Sequence, residues 1–177
     1  MDYVLDRVAS RAKYLILNFS STVSNITTQA DRPKTRKLLI HLGMSGSLQQ
    51  LSYGTDKRKH DHLVIEFTNT NNERSQLHYY DPRRFGSVLW YQDYGSKLLD
   101  HLGPEPLSDA FTADYLYHFI QRTKSTEKNK AVETAISNKP SRPITRPIKS
   151  VIMEQQVVVG VGNIYATESL YLSGIHP

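Results

Sequence analysis

Residues 158–177, V-V-G-V-G-N-I-Y-A-T-E-S-L-Y-L-S-G-I-H-P, place two glycines one residue apart directly before a helical pattern. Gly160 and Gly162 have access to positive φ and let the backbone come close to a ligand. The free N–H groups and the positive dipole end of the following helix then point outward. That chemistry holds an anion, and a nucleic-acid phosphate fits it. The same residues also suit an ordinary helical hairpin with Asn163 as N-cap. Three more segments carry side chains that a core does not need. Ser10-Arg11-Ala12-Lys13-Tyr14 puts two cations before an apolar run, His41-Leu42-Gly43-Met44-Ser45-Gly46 sets a flexible apolar side chain between glycines, and Asp81-Pro82-Arg83-Arg84-Phe85-Gly86 places a cation beside an aromatic on a turn. Taken singly, Lys13 suits a solvated strand end, Met44 a core filler, and Arg83 with Phe85 an ion pair and a packed ring. Together, on loops beside a basic surface, they meet the needs of a protein that enters a base stack, fills the vacated space and holds the opposite base. His60-x-His62 could offer two metal ligands from one strand face, but no third ligand is evident and phosphate contact explains the pair better.

The elements that must carry these groups form an α+β pattern, strand-rich first and helical second. Apolar residues 14–19 predict a buried strand, and residues 38–48 predict another that bends at Gly43 and Gly46. Leu63, Ile65 and Phe67 alternate with polar or smaller residues, turn through Asn69-Thr70-Asn71-Asn72 and return over residues 77–80 as a hairpin. Residues 87–91, with the single tryptophan Trp90, predict a last strand. After His101-Leu102-Gly103-Pro104-Glu105-Pro106 the pattern becomes helical, with Ser108 capping a helix over residues 115–121 and Ile148, Val151 and Ile152 sharing the face of the next. The boundary divides a domain at 1–100 from one at 101–177. Residues 122–146, rich in Lys, Ser, Thr, Asn and Pro, are expected to be a flexible insertion.

Composition narrows the partner. Lys and Arg number 22 against 17 acids, for a net charge of +5 over 177 residues, which favours a polyanionic partner. The absence of cysteine excludes disulfides, thiol catalysis and Cys-ligated zinc within the chain. No apolar run approaches the roughly 18 residues of a membrane span, and the first residues lack a signal-peptide profile, so a soluble cytoplasmic protein is expected.

In combination, S-R-A-K-Y at 10–14, H-L-G-M-S-G-S-L at 41–48, K-H-D-H at 59–62, Y-D-P-R-R-F-G at 80–86, H-L-G-P-E-P-L at 101–107 and the glycine-turn run ending G-I-H-P resemble one family in family order. It is the bacterial formamidopyrimidine-DNA glycosylases, which excise oxidised purines such as 8-oxoguanine. The resemblance covers nearly the whole chain apart from the insertion. It implies a partial two-layer β-sandwich followed by the start of a helix–two-turn–helix (H2TH) domain, binding double-stranded damaged DNA as a monomer. Met44, Arg83 and Phe85 look like the family's intercalating residues: Met44 fills the gap left by the everted nucleotide, Arg83 contacts the orphaned cytosine and Phe85 wedges the step. Lys13, His60, Lys149 and Asn163, with Gly162 in the turn, look like its phosphate contacts, and Lys13 also lies close to the lesion in that family. Glu168, an acid inside the helix after the turn, is expected to cap or pair internally.

The departures bear on activity. Family members use an N-terminal Pro-Glu pair, in which the proline amine attacks C1′ and forms a Schiff base that permits β,δ-elimination. This chain opens Met1-Asp2-Tyr3, aligned well inside the family's first domain, and ends before the family's four-cysteine zinc finger and lesion-capping loop. An internal fragment without normal turnover and without a cofactor of its own is therefore expected. The Lys13 amine is the candidate catalytic group for residual lyase chemistry at an abasic site. Two rivals stand: a related glycosylase for oxidised pyrimidines, and a non-catalytic nucleic-acid-binding module.

Overall fold

Residues Tyr3–Arg11 form β1, a strand that the sequence reading did not foresee because its exposed positions mix valine with charge and break the apolar alternation. The computed structural model describes residues 3–22, 35–91, 98–122 and 142–176. They fall into two units, one made of residues 1–10 and 14–94 and the other of residues 11–13 and 95–177.

In the first unit β1, β2 (Tyr14–Ser21), β3 (Thr35–His41) and β7 (Ser87–Trp90) form one sheet in the order β1-β2-β3-β7. A second sheet has the order β4-β6-β5, from β4 (Ser47–Ser52), β5 (Asp61–Thr68) and β6 (Arg74–Tyr80). Leu17, Leu38 and Ile40 of the first sheet pack with Tyr79 of the second, joined by Leu48, Leu63, Ile65 and Leu77, so the two sheets close a sandwich over one apolar core. Residues 38–48 are not one bent strand. Gly43 takes φ 64°, the chain turns through residues 43–45, Gly46 N–H donates to the Leu42 carbonyl at 2.9 Å, and β3 and β4 end in different sheets. The β5–β6 hairpin closes as the sequence predicts. Asn69 Oδ1 accepts the N–H groups of Asn71 and Glu73 at 2.9 Å each, and Asn72 adopts the left-handed conformation at φ 62°.

The second unit contains α1 (Ala113–Gln121), α2 (Ile148–Ile152) and α3 (Asn163–Leu172). Its core joins Tyr115 and Phe119 of α1, Val151 and Ile152 of α2, and Ala166 and Leu170 of α3 to Val157 and Val158 of the intervening turns. The Tyr115 hydroxyl donates to the Val157 carbonyl at 2.9 Å inside that core. Ser108 does not cap α1. Its hydroxyl is spent on the Glu105 carbonyl, while Thr112 caps the helix by accepting Tyr115 N–H at 3.0 Å. Of the segment expected to be flexible, residues 123–141 lie outside the described residues. Its ends are anchored, with Ile144 N–H on the Ile120 carbonyl at 2.9 Å and Arg146 paired to Glu154 at 2.5 Å.

Candidate nucleic-acid interface

Asp81 ends β6 with both carboxylate oxygens buried, and four donors converge on it. Gly86 N–H reaches Oδ2 at 2.8 Å, Ser45 Oγ reaches Oδ1 at 2.9 Å, Tyr79 OH reaches Oδ2 at 3.1 Å, and the Arg83 backbone adds a further bond. These bonds, the Gly86 N–H foremost, hold the carboxyl down at about 2 against the cost of burial. Burial first, and then the neighbouring Asp81, push the Tyr79 phenol up to about 12, so it stays a donor.

The loops that Asp81 joins carry the candidate wedge. Met44 is 75% exposed and Phe85 59%, and the two stand close together on neighbouring loops. Arg83 is brought to both, its guanidinium 4.9 Å from the Phe85 ring centroid and its Nη2 3.5 Å from Met44 Sδ. Backbone contact tightens the arrangement, since a Cβ added at Gly43 would meet the Phe85 carbonyl carbon at 2.6 Å. Only glycine permits that approach at φ 64°. Three residues distant in sequence thus stand as one exposed apolar and cationic group.

His60 is tied to the same Asp81. Its carbonyl accepts Asp81 N–H at 3.0 Å and its ring meets Tyr80 edge-on, with centroids 5.9 Å apart. The loop before it is fixed by Arg58, which grips fully buried Asp61 through Nε and Nη2 at 2.8–3.2 Å and stacks over Tyr80 at 4.7 Å. His78 completes that buried cluster at 2.9 Å from Asp61, whose carboxyl is held far below its ordinary value, chiefly by the Arg58 bond. The His60-x-His62 strand-face arrangement fails. A bulge between Asp61 and Leu63 interrupts the alternation, and His62 Nε2 is engaged at 2.8 Å with the Asp81 carbonyl. Among the described residues no three His, Asp or Glu side chains are grouped to hold a metal.

The second unit holds the glycine turn. Gly160 adopts φ 77°, as the sequence suggested, while Gly162 is extended at φ −107° and is itself the N-cap of α3. Asn163 is therefore the first helical residue and not the cap, and no side chain caps this helix. Its first N–H groups remain available. A cation stands in front of them: a Cβ built on Gly162 would lie 3.1 Å from Lys13 Nζ. The turn carrying Lys13 is docked to this unit by Arg11, which pairs with Glu105 at 2.6 Å and bonds the Gly103 carbonyl at 2.5 Å, and by Ala12 N–H on Glu105 at 2.9 Å. Lys13 joins none of the described ion pairs. An ammonium beside the positive end of a helix is repelled unless an anion lies between them, so the pairing has the charge arrangement that an anion would relieve.

Gln155, absent from the sequence reading, shapes the turn. Its Oε1 accepts Gly160 N–H at 3.0 Å and its Nε2 reaches the Val161 carbonyl at 3.5 Å. Asp81 was equally overlooked, although the turn-forming Asp-Pro pair that opens its motif was the available signal. Lys149 sits half-buried in α2, and none of the described contacts joins it to the turn. Glu168 neither caps nor pairs internally: it is exposed and joins none of the described ion pairs.

Comparison with known proteins follows the same division. The family model for the formamidopyrimidine-DNA glycosylase N-terminal domain matches residues 1–88, and that for the formamidopyrimidine-DNA glycosylase H2TH domain matches residues 102–177. The formamidopyrimidine-DNA glycosylase of Psychrobacter arcticus is 61% identical over 100% of this chain and 57% of its own length. That of Acinetobacter baylyi is 41% identical over 98% of this chain and 50% of its own. The chain thus spans about half the length of the curated relatives it matches. The Lactococcus lactis enzyme bound to DNA containing an abasic site is similar with TM-score 0.68 at 26% identity, covering 99% of this chain and 54% of that one. A complex of MutM with DNA containing carbocyclic 8-oxo-G has TM-score 0.64 at 29% identity, covering 99% and 53%.

Proposed function

The chain belongs to the formamidopyrimidine-DNA glycosylase family, and from that premise we propose that it serves base-excision repair by recognising double-stranded DNA with an everted oxidised purine. Met44 fills the vacated space, Phe85 wedges the neighbouring step and Arg83 holds the orphaned base. Lys13, with the N–H groups around Gly162 and Asn163, holds a phosphate, and His60 and Lys149 add backbone contacts. The whole protein is then a glycosylase with associated abasic-site lyase activity, acting as a monomer in the bacterial cytoplasm. Among the described residues no helix is long and apolar enough to cross a membrane. With no cysteine in the chain, the family's four-cysteine zinc site cannot be built from these residues.

The observation that carries this reading is the grouping of exposed Met44 and Phe85 around the Arg83 guanidinium. Its test is binding of the 177-residue chain to a duplex with a stable abasic-site analogue opposite cytosine, against undamaged duplex, across a salt series. Preferential binding that is lost in Arg83→Ala or Phe85→Ala is expected. Equal binding to both duplexes would leave only a basic surface and sink the recognition reading.

Lys13 also bears on chemistry. A neutral amine there can add to the aldehyde carbon of an opened abasic site and lose water to give an imine, which borohydride reduces to a stable adduct. Trapping that persists unchanged in Lys13→Ala removes that role. The placement of Lys13 against an uncapped helix favours phosphate binding as its main task.

A further inference from the structure

The Met44 loop and the Arg83/Phe85 turn lie far apart in sequence, and the Arg83–Met44 contact joining their side chains is long, at 3.5 Å. Buried Asp81 links them. One of its oxygens takes Ser45, the residue next to Met44, and the other takes Gly86, the residue next to Phe85. Its backbone reaches a third and fourth place, with N–H to the His60 carbonyl at 3.0 Å and its own carbonyl to His62 Nε2 at 2.8 Å. A single residue, through its carboxylate and its backbone, thereby bonds the root of each first-unit loop assigned above to DNA contact. Gly43 lies directly against the Phe85 and Gly86 backbone, so the two loops are in close contact.

Resting on the recognition reading above, we propose that Asp81 is the positioning residue that locks the two loops into one rigid wedge, so that Met44 and Phe85 enter a damaged duplex as a single body. Preorganisation of this kind removes the ordering cost from the binding step. It also makes the two wedge residues energetically coupled although their side chains act on different parts of the DNA. Asp81 is buried away from any ligand and acts through Ser45, Gly86 and the backbone of Arg83.

The test uses two variants. Ser45→Ala cuts one spoke at a half-buried site without leaving a cavity, and Asp81→Asn weakens the hub itself. In the free 177-residue chain, Ser45→Ala is expected to lower the melting temperature modestly and to speed amide hydrogen exchange at Gly86 about 10-fold relative to the amides of the β5–β6 hairpin, because the local effect must pass through Asp81. On DNA, the preference for the abasic-analogue duplex should fall about 10-fold, the size of one charge-assisted hydrogen bond, while affinity for undamaged duplex stays constant. Met44→Ala and Phe85→Ala should be non-additive in the parent and additive in the Ser45→Ala background. Additive effects in the parent, or Gly86 exchange that is unmoved in both Ser45→Ala and Asp81→Asn, overturn the proposal. A parent chain with no abasic preference would instead defeat the recognition reading, and the Gly86 exchange rates would still decide what Asp81 does.

Discussion

At the scale of single residues, the glycines separate folding from binding. Gly162 is extended, so alanine is conformationally tolerated there, and its Cβ would press only on the mobile end of Lys13 at 3.1 Å. Gly162→Ala is expected to leave the melting temperature within about 1 °C while weakening DNA affinity several-fold; retained affinity would show that the ammonium does not work at the helix end. Gly43→Ala has the opposite signature. A left-handed φ and backbone contact at 2.6 Å should cost about 1–3 kcal/mol in denaturant stability. Asp81 adds a pH signature. Its folded value of about 2 lies below its ordinary 3.8, so its contribution is complete above roughly pH 4 and is lost as pH falls towards 2. Acid unfolding of Asp81→Asn should therefore be less steep across that window than that of the parent, as followed by circular dichroism.

At the scale of elements, the caps and buried bonds make local predictions. Thr112→Ala removes the α1 cap and should cost about 1 kcal/mol, whereas Ser108→Ala should cost clearly less, since Ser108 only closes a turn. A larger loss at Ser108 would reverse that assignment. Both residues are good capping types at plausible spacing, and only the actual path of the chain out of Pro106 decides between them, which is why the sequence misplaced the cap. The β5–β6 hairpin was legible because Asn69 and Asn72 carry the turn in their own side chains and dihedrals. The break at residues 43–46 was half legible: the glycines marked it, but transfer of the chain to the other sheet depends on packing that no local signal encodes. β1 escaped notice because an edge strand with charged outward positions lacks an unbroken apolar alternation. Of the candidate site, the outward-pointing groups were readable from their types, whereas the inward supports Asp81, Ser45 and Gln155 were not, since a buried hydrogen-bonding partner looks like any polar residue until its donors converge on it.

At the scale of the whole molecule, 22 basic against 17 acidic residues would make the proposed DNA affinity a function of salt. Lys13→Ala should reduce the slope of log affinity against log salt by about 1 and weaken damaged and undamaged duplexes alike. A change confined to damaged duplex would place Lys13 at the lesion rather than on the backbone. The docking of residues 11–13 onto the helical unit also sets a schedule. The Arg11–Glu105 pair closes a separation of 94 positions, so Lys13 cannot stand before α3 until that long loop has shut, a slow kind of event in folding. At a synthesis rate of roughly 5–20 residues per second, the emerging hairpin waits about 5–20 s for Glu105 to be made. For that interval Arg11 lacks its carboxylate, and Lys13 gains its place before α3 only after residues 163–172 have also been made.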